Sequence, residues 1–344
     1  MSETYEILAV KYAFHDKRTR VDNFMLPDDH ANIEPIDYFI WVIRNSNRTI
    51  IVDTGMDLAE AEGRGRTFIQ KPIEALAQIG IDAHAIDSVI VTHMHFDHAG
   101  TLDDFPSARF HLQEAEMAFA TGTCMCDEFV RRTFNVEHVC GMVRRVFSGR
   151  VQFYDGDGEV APGVTVHRAG GHTLGLQCVR VATDSGFVVL ASDATHLYEN
   201  FERRKPFSIT VDVAQTLRSY TRLDQLATSR AHIVPGHDPL VLKRYPAWKP
   251  PNPGTRPPTG RAEAHLRSVR RWQQRSVRSC DRDCFDKANR RRNCNNRSRL
   301  SPAAASGYVQ AGTVHARRRS ARVVCRSSIL PTTAHFRGRA NVQR

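Results

Sequence analysis

Three histidines and one aspartate fall within the run His93-Met94-His95-Phe96-Asp97-His98. Such a concentration of imidazole and carboxylate is costly to bury unless something binds it. On an extended chain His93 and His95 point the same way. If the chain then turns, Asp97 and His98 face a neighbouring point. One short segment could thus feed two adjacent metal ions. More candidates stand downstream next to glycine or at strand ends: Gly170-Gly171-His172-Thr173, Ser192-Asp193-Ala194 and Pro235-Gly236-His237-Asp238. Loops at strand ends are where a rigid sheet presents reactive groups.

The elements that must position these residues are legible as alternating strands and helices. Strands are expected at Tyr5–Tyr12, Tyr38–Ile43 and Thr49–Val52, the last two joined by a hairpin at Asn45-Ser46-Asn47-Arg48. Asp53-Thr54-Gly55 then breaks the strand. Ser88–Val91 runs straight into the histidine motif, and Val164–Val166, Leu176–Val181, Phe187–Ala191 and His232–Val234 precede or follow the later candidates. Helical spacing marks Lys71–Ile79, ending at Gly80, then Gln113–Ala120 and Val213–Leu226. This order predicts a layered α/β fold with helices outside sheets.

The net charge of +11 over 344 residues belongs to one end of the chain. Of 48 Lys and Arg and 37 Asp and Glu, 22 and 4 lie in residues 251–344, which leaves 26 and 33 in residues 1–250. The first part is therefore acidic, and nucleic-acid binding by the whole chain is not expected. The texture changes near Trp248: prolines cluster and arginine replaces lysine. Three readings of 251–344 compete: a disordered basic tail for anionic polymers, a small folded domain, or the product of a shifted reading frame. The abrupt onset and the scattered cysteines suit the third best. Cys280, Cys284 and Cys294 fit no common zinc-finger spacing. Eight irregularly spaced cysteines do not form a disulfide scaffold. No apolar run approaches the ~18 residues of a membrane span, and the start lacks a secretory pattern. A cytoplasmic protein is the expectation.

Read together, these segments resemble the metallo-β-lactamase superfamily of dinuclear metallohydrolases, and within it the N-acyl-homoserine lactonases. The resemblance rests on Asp53-Thr54-Gly55, Thr92-His93-Met94-His95-Phe96-Asp97-His98-Ala99-Gly100, Gly171-His172-Thr173, Asp193-Ala194-Thr195, Glu199-Asn200-Phe201-Glu202 and Gly236-His237-Asp238. It covers nearly all of residues 1–250 and none of the tail. It implies an αββα sandwich with the metals at one edge between two sheets. One metal would be held by His93, His95 and His172, and the other by Asp97, His98 and His237, with Asp193 bridging. Two zinc ions, or another divalent transition metal, suit these ligands. Asp53 would orient a ligand imidazole, unless it serves only as a turn former. The implied reaction is opening of an N-acyl-homoserine lactone by a metal-bridging hydroxide, with Asp97 carrying the proton to the leaving alkoxide. The implied biological effect is quorum quenching.

Two departures from the family pattern matter. The lactonases carry a tyrosine three residues after the bridging aspartate; here that position is His196, and a tyrosine stands at Tyr198. Either could bind the substrate carbonyl, or both could merely line the pocket. Leu176 replaces a common histidine, with only a local packing change expected. Phe24, Met25 and Leu26 are expected in the core rather than on an acyl chain, Cys124 and Cys126 are expected to be buried or incidental, and His111, His138, His167 and His232 structural. The expected partner is a small lactone, with a homodimer left open, no membrane, and nucleic acid only through the tail. The alternatives are another lactone, ester or thioester on the same site, and a nucleic-acid-binding protein acting through its basic tail.

Overall fold

A computed structural model describes residues 3–26 and 31–248. The expectations for 251–344, including Cys280, Cys284, Cys294 and the boundary at 250, lie outside the described residues.

Among the described residues two sheets stand out. The first holds β1 (Glu6–His15), β2 (Ile36–Arg44), β3 (Thr49–Val52), β4 (Thr67–Phe68), β5 (Ser88–Ile90), β6 (Arg109–Gln113) and β7 (Val151–Tyr154), in the order β4-β1-β2-β3-β5-β6-β7. The second holds β8 (Gly158–Ala161), β9 (Val164–Arg168), β10 (Gln177–Thr183), β11 (Gly186–Ser192) and β12 (Ile233–Pro235), in the order β12-β11-β10-β9-β8. The helices are α1 (Arg20–Asn23), α2 (Leu58–Gly63), α3 (Pro72–Gln78), α4 (Glu114–Thr121), α5 (Glu128–Arg131), α6 (Val136–Phe147), α7 (Tyr198–Glu202), α8 (Val213–Leu226) and α9 (Val241–Arg244).

Strand β2 shows why the layers stack. It is buried on both faces, as its nearly unbroken apolar text requires. Tyr38, Ile40 and Val42 enter the core beneath the helices, with Leu76 of α3, Phe119 of α4 and Met142 of α6. Phe39, Trp41 and Ile43 enter the other core, against Val164, Val166, Val179 and Val189 of the second sheet. Alternation of side chains along one strand thus feeds two layers. Helix α8 closes the far side. Its Asp212 cap accepts the Gln215 N–H at 2.8 Å. Thr216, Ser219, Tyr220 and Leu223 form its buried stripe. The αββα sandwich is the observed architecture.

The expected strands and helices are present with ends shifted by a few residues. Strand β1 continues to His15, and α3 starts at Pro72 with Lys71 as its cap, where proline's missing N–H costs nothing. Strand β6 and helix α6 were not expected. Phe24 is in the core, but Met25 and Leu26 are exposed, which corrects the expectation for those two. Cys124 and Cys126 sit exposed in a short turn, so burial does not account for them. Leu176 is buried in the inter-sheet core. His111 bonds Ser88 and Tyr154, His167 bonds Thr165, and His232 bonds Ser229, as structural histidines do.

Candidate metal centre

The chain delivers the candidate residues to one edge of the two sheets. Residues 91–98 leave β5, His172 lies between β9 and β10, Asp193 follows β11, and His237 follows β12. Two backbone features shape the approach. Asp53 and Ser192 have positive φ of 63° and 47°, a conformation that residues other than glycine and asparagine-like side chains adopt at a cost. The Gly170-Gly171 loop is held by the start of α8. Val211 and Asp212 both donate to the Gly171 carbonyl, at 2.8 and 2.9 Å. Gln215 Nε2 donates to the Ala169 carbonyl at 2.8 Å. A Cβ on Gly171 would lie 2.3 Å from Thr216 Oγ1, so only glycine fits there.

His93, His95, His172 and Asp193 form one buried group, and Asp97, His98 and His237 form another; within each group the ligand atoms lie within 4.8 Å of one another. Every imidazole is oriented the same way: one nitrogen is bound by the protein and the other faces the cluster. His93 Nδ1 meets Thr92 Oγ1 at 3.2 Å. His95 Nε2 meets Thr133 Oγ1 at 2.9 Å, which leaves Nδ1 facing His172 Nε2 at 2.9 Å. His172 Nδ1 meets the Ile209 carbonyl at 2.7 Å. His98 Nδ1 meets Asp53 Oδ2 at 2.8 Å, and His237 Nδ1 meets the Asp37 carbonyl at 2.8 Å. Such partners fix the tautomer and ring direction of a ligand imidazole.

Asp193 spans the two groups. Its Oδ2 lies 3.2 Å from His172 Nε2 and 3.8 Å from His93 Nε2. Its Oδ1 lies 2.9 Å from His237 Nε2 and 3.3 Å from His98 Nε2. Asp97 Oδ2 lies 3.4 Å from His98 Nε2 and 3.7 Å from His237 Nε2. The donor set fits divalent cations. His93 Nε2 is buried without a hydrogen-bond partner, and His98 Nε2 and Asp193 Oδ1, though close to neighbouring cluster atoms, are not aligned to bond them, which is costly for polar atoms unless an ion satisfies them.

The electrostatics point the same way. Burial, reinforced by neighbouring imidazoles, pushes His93 and His95 well below the ordinary imidazole range, so both offer lone pairs. Burial alone would raise the Asp97 and Asp193 carboxyls. Facing imidazoles outweigh it: His98 and His237 hold Asp97 low, and His196, His237, His98 and His172 hold Asp193 low. Burial would lower His98 and His237, but the surrounding carboxylates raise both. The two aspartates thus demand positive charge at this spot, as protons or as a cation.

The two departures are placed differently. His196 joins the cluster edge, with Nε2 2.8 Å from Asp193 Oδ2 and its ring stacked on Phe207 at 3.5 Å and 4°. Burial lowers its pKa to about 3, so the ring is neutral. Tyr198 does not reach the cluster. It opens α7 and packs into the inter-sheet core, with the Arg244 guanidinium 3.5 Å above its ring and Phe201 beside it. That placement gives no support to substrate contact by Tyr198, which was one of the alternatives open for it. Sequence reasoning missed Thr133, which meets His95 from a remote loop, and Phe207, which lies beneath His196. Neither carries a local motif.

A family model described as the metallo-beta-lactamase superfamily matches residues 34–237, and the chain belongs to that superfamily. Among known proteins, an N-acyl homoserine lactonase of a Bacillus species is 28% identical over 237 residues, covering 61% of this chain and 88% of that relative. A solved structure of a quorum-quenching N-acyl homoserine lactone lactonase superposes with a TM-score of 0.60 at 22% identity, covering 72% of this chain and 98% of that one. AidC, a dizinc quorum-quenching lactonase, superposes with a TM-score of 0.56 at 16% identity, covering 70% of this chain and 89% of that one. The protein is thus a hydrolase of this superfamily, related to lactonases that act on ester bonds. No helix among the described residues is long and apolar enough to cross a membrane.

Proposed function

We propose that this protein opens the lactone ring of N-acyl-homoserine lactones and so quenches quorum-sensing signals. The observation that carries the reading is Asp193, whose two oxygens face two separate histidine groups. His93, His95 and His172 would hold one divalent ion, and Asp97, His98 and His237 a second, with Asp193 shared. Zinc is the metal that the ligand chemistry and the dizinc relative favour. A bound pair of ions supplies Lewis acidity toward the carbonyl and a water acidified toward neutral pKa.

The chain's own residues do the rest. Hydrolysis adds one water across the ring ester: the acyl C–O bond breaks, the ring oxygen leaves as an alkoxide, and the product is a hydroxy acid. Asp97, ionised and adjacent to His98 and His237, is positioned to take a proton from the attacking water and pass it on to that alkoxide. Neutral His196 holds Nε2 against Asp193 Oδ2 at the cluster edge; with Asp193 drawn onto bound ions, its N–H would be released to donate to the carbonyl oxygen as negative charge develops. Phe207 holds that ring flat from behind. The four described cysteines are free, which suits the reducing cytoplasm as the site of action.

A second reading keeps the site and changes the substrate. His196 in place of a tyrosine alters the donor at the carbonyl, which favours testing other lactones, esters and thioesters. The experiment is ring opening by the full-length chain, followed as acid release. The panel holds short- and long-chain N-acyl-homoserine lactones, unrelated lactones, linear esters and thioesters. Preference for the homoserine lactones supports the first reading. Turnover confined to another class replaces it.

A further inference from the structure

The first histidine group draws on both sheets. His93 and His95 follow β5 of the first sheet, whereas His172 follows β9 of the second. Yet His95 Nδ1 and His172 Nε2 lie 2.9 Å apart. The spacing of those two loops decides whether the group can close on an ion.

Glu116, in the first turn of α4, touches both loops. Its Oε1 accepts the N–H of Met94, the residue between His93 and His95, at 2.9 Å. Its Oε2 accepts the Thr173 hydroxyl at 2.6 Å and the Gly175 N–H at 3.1 Å, just after His172. Glu116 is completely buried. Burial pushes its carboxyl up to about 7, while those three donors act in the opposite direction. The backbones are as close as they can be: a Cβ on Gly175 would lie 1.9 Å from Glu116 N and 2.3 Å from its Cα. A carboxylate in a dry site is expensive, and an apolar residue there would strand three donors instead. The second histidine group takes its orienting partners elsewhere, from Asp53 and from the Asp37 carbonyl.

We propose that Glu116 is a positioning residue whose carboxylate ties the Met94 loop to the Thr173 loop and thereby sets the metal affinity of the His93, His95 and His172 group selectively. The proposal rests on the reading of that group as a metal site. Outer partners of this kind change affinity by about 10- to 100-fold when removed.

The test uses the full-length chain, stripped with a chelator and titrated with zinc against a chromophoric competitor. His95→Ala and His98→Ala identify which equivalent belongs to which group. Glu116→Gln puts an amide NH2 against one of the three donors, and Thr173→Val removes one hydroxyl with little change of shape. Both are expected to weaken the equivalent that His95→Ala abolishes by about 10- to 100-fold, and to leave the other unchanged. Thr173→Ser, which keeps the hydroxyl, should restore it. If Glu116→Gln fails to fold, the Thr173 pair carries the test. Equal affinities in all variants, or a loss shared by both equivalents in step with a fall in Tm, would overturn the proposal in favour of a packing role. A wild-type chain that takes up no zinc removes the metal reading itself, and this proposal with it.

Discussion

Asp53 offers the sharpest quantitative prediction. Its carboxylate is buried, and accepts from Thr92 N at 2.7 Å, from Thr92 Oγ1 at 2.9 Å and from His98 Nδ1 at 2.8 Å. Asp53→Ala removes all three hydrogen bonds at once. The Thr92 hydroxyl can turn to Ser192 Oγ, 2.8 Å away, so two donors are left stranded. Each costs about 1–3 kcal/mol. Alanine at a φ of 63° adds a further cost, on the order of 1 kcal/mol. The metal-free chain should lose about 3–7 kcal/mol, which for a domain of this size is a Tm drop of roughly 6–28 °C. Asp53→Asn separates turn formation from orientation. Asparagine tolerates the left-handed backbone and its carbonyl can still serve Thr92, but its NH2 opposes His98 Nδ1. His98 then loses its partner or moves its proton to Nε2, the nitrogen that faces Asp193. Zinc affinity at the Asp97, His98 and His237 group should fall by about 10- to 100-fold. Thermal unfolding and zinc titration of the full-length chain measure both effects. An Asp53→Asn chain that binds zinc as tightly as wild type would refute the orienting role and leave Asp53 a turn former.

Two more expectations follow from the same geometry. His196→Phe should keep both metals while slowing turnover about 100-fold or more, the usual effect of losing one donor to developing oxyanion charge; unchanged kinetics would take His196 out of the mechanism. Burial holds the His111 imidazole down from 6.5 to about 4, so the unfolded chain takes a proton that the folded chain resists. The stability His111 contributes is full above pH 6.5 and is lost as the pH falls toward 4. In urea unfolding of the chelated protein, His111→Gln should lessen the acid-side loss by up to about 3 kcal/mol; parallel pH profiles for the two chains would contradict the shift.

What the sequence made legible was what it encodes locally. The histidine motif packs its residues into one short run, so their shared destination follows from chain geometry. Strands β2 and β3 and helix α8 follow from β-rich text and helical periodicity, with few competing signals. His172, Asp193 and His237 are each uninformative alone and became candidates through order and resemblance. Long-range partners had no such signal. Thr133 reaches His95 across 38 positions, and Phe207 backs His196 from a loop of irregular structure. Tyr198 was considered as the nearest tyrosine, two positions past the one the family pattern uses, and the first turn of α7 directs it into the core. Strand β6 escaped notice because Arg109-Phe110-His111-Leu112-Gln113 mixes charge with apolar residues, and parallel pairing with β5 and β7 decides its conformation.

Hydrolysis on a two-ion site can be tested in a single titration. The full-length chain, stripped of metal, would receive zinc in steps while bound zinc and opening of an N-acyl-homoserine lactone are measured in the same sample. No turnover is expected without metal, two equivalents should be taken up, and full activity should appear only as the second binds. Turnover in the stripped protein, or full activity at a single equivalent, would contradict it.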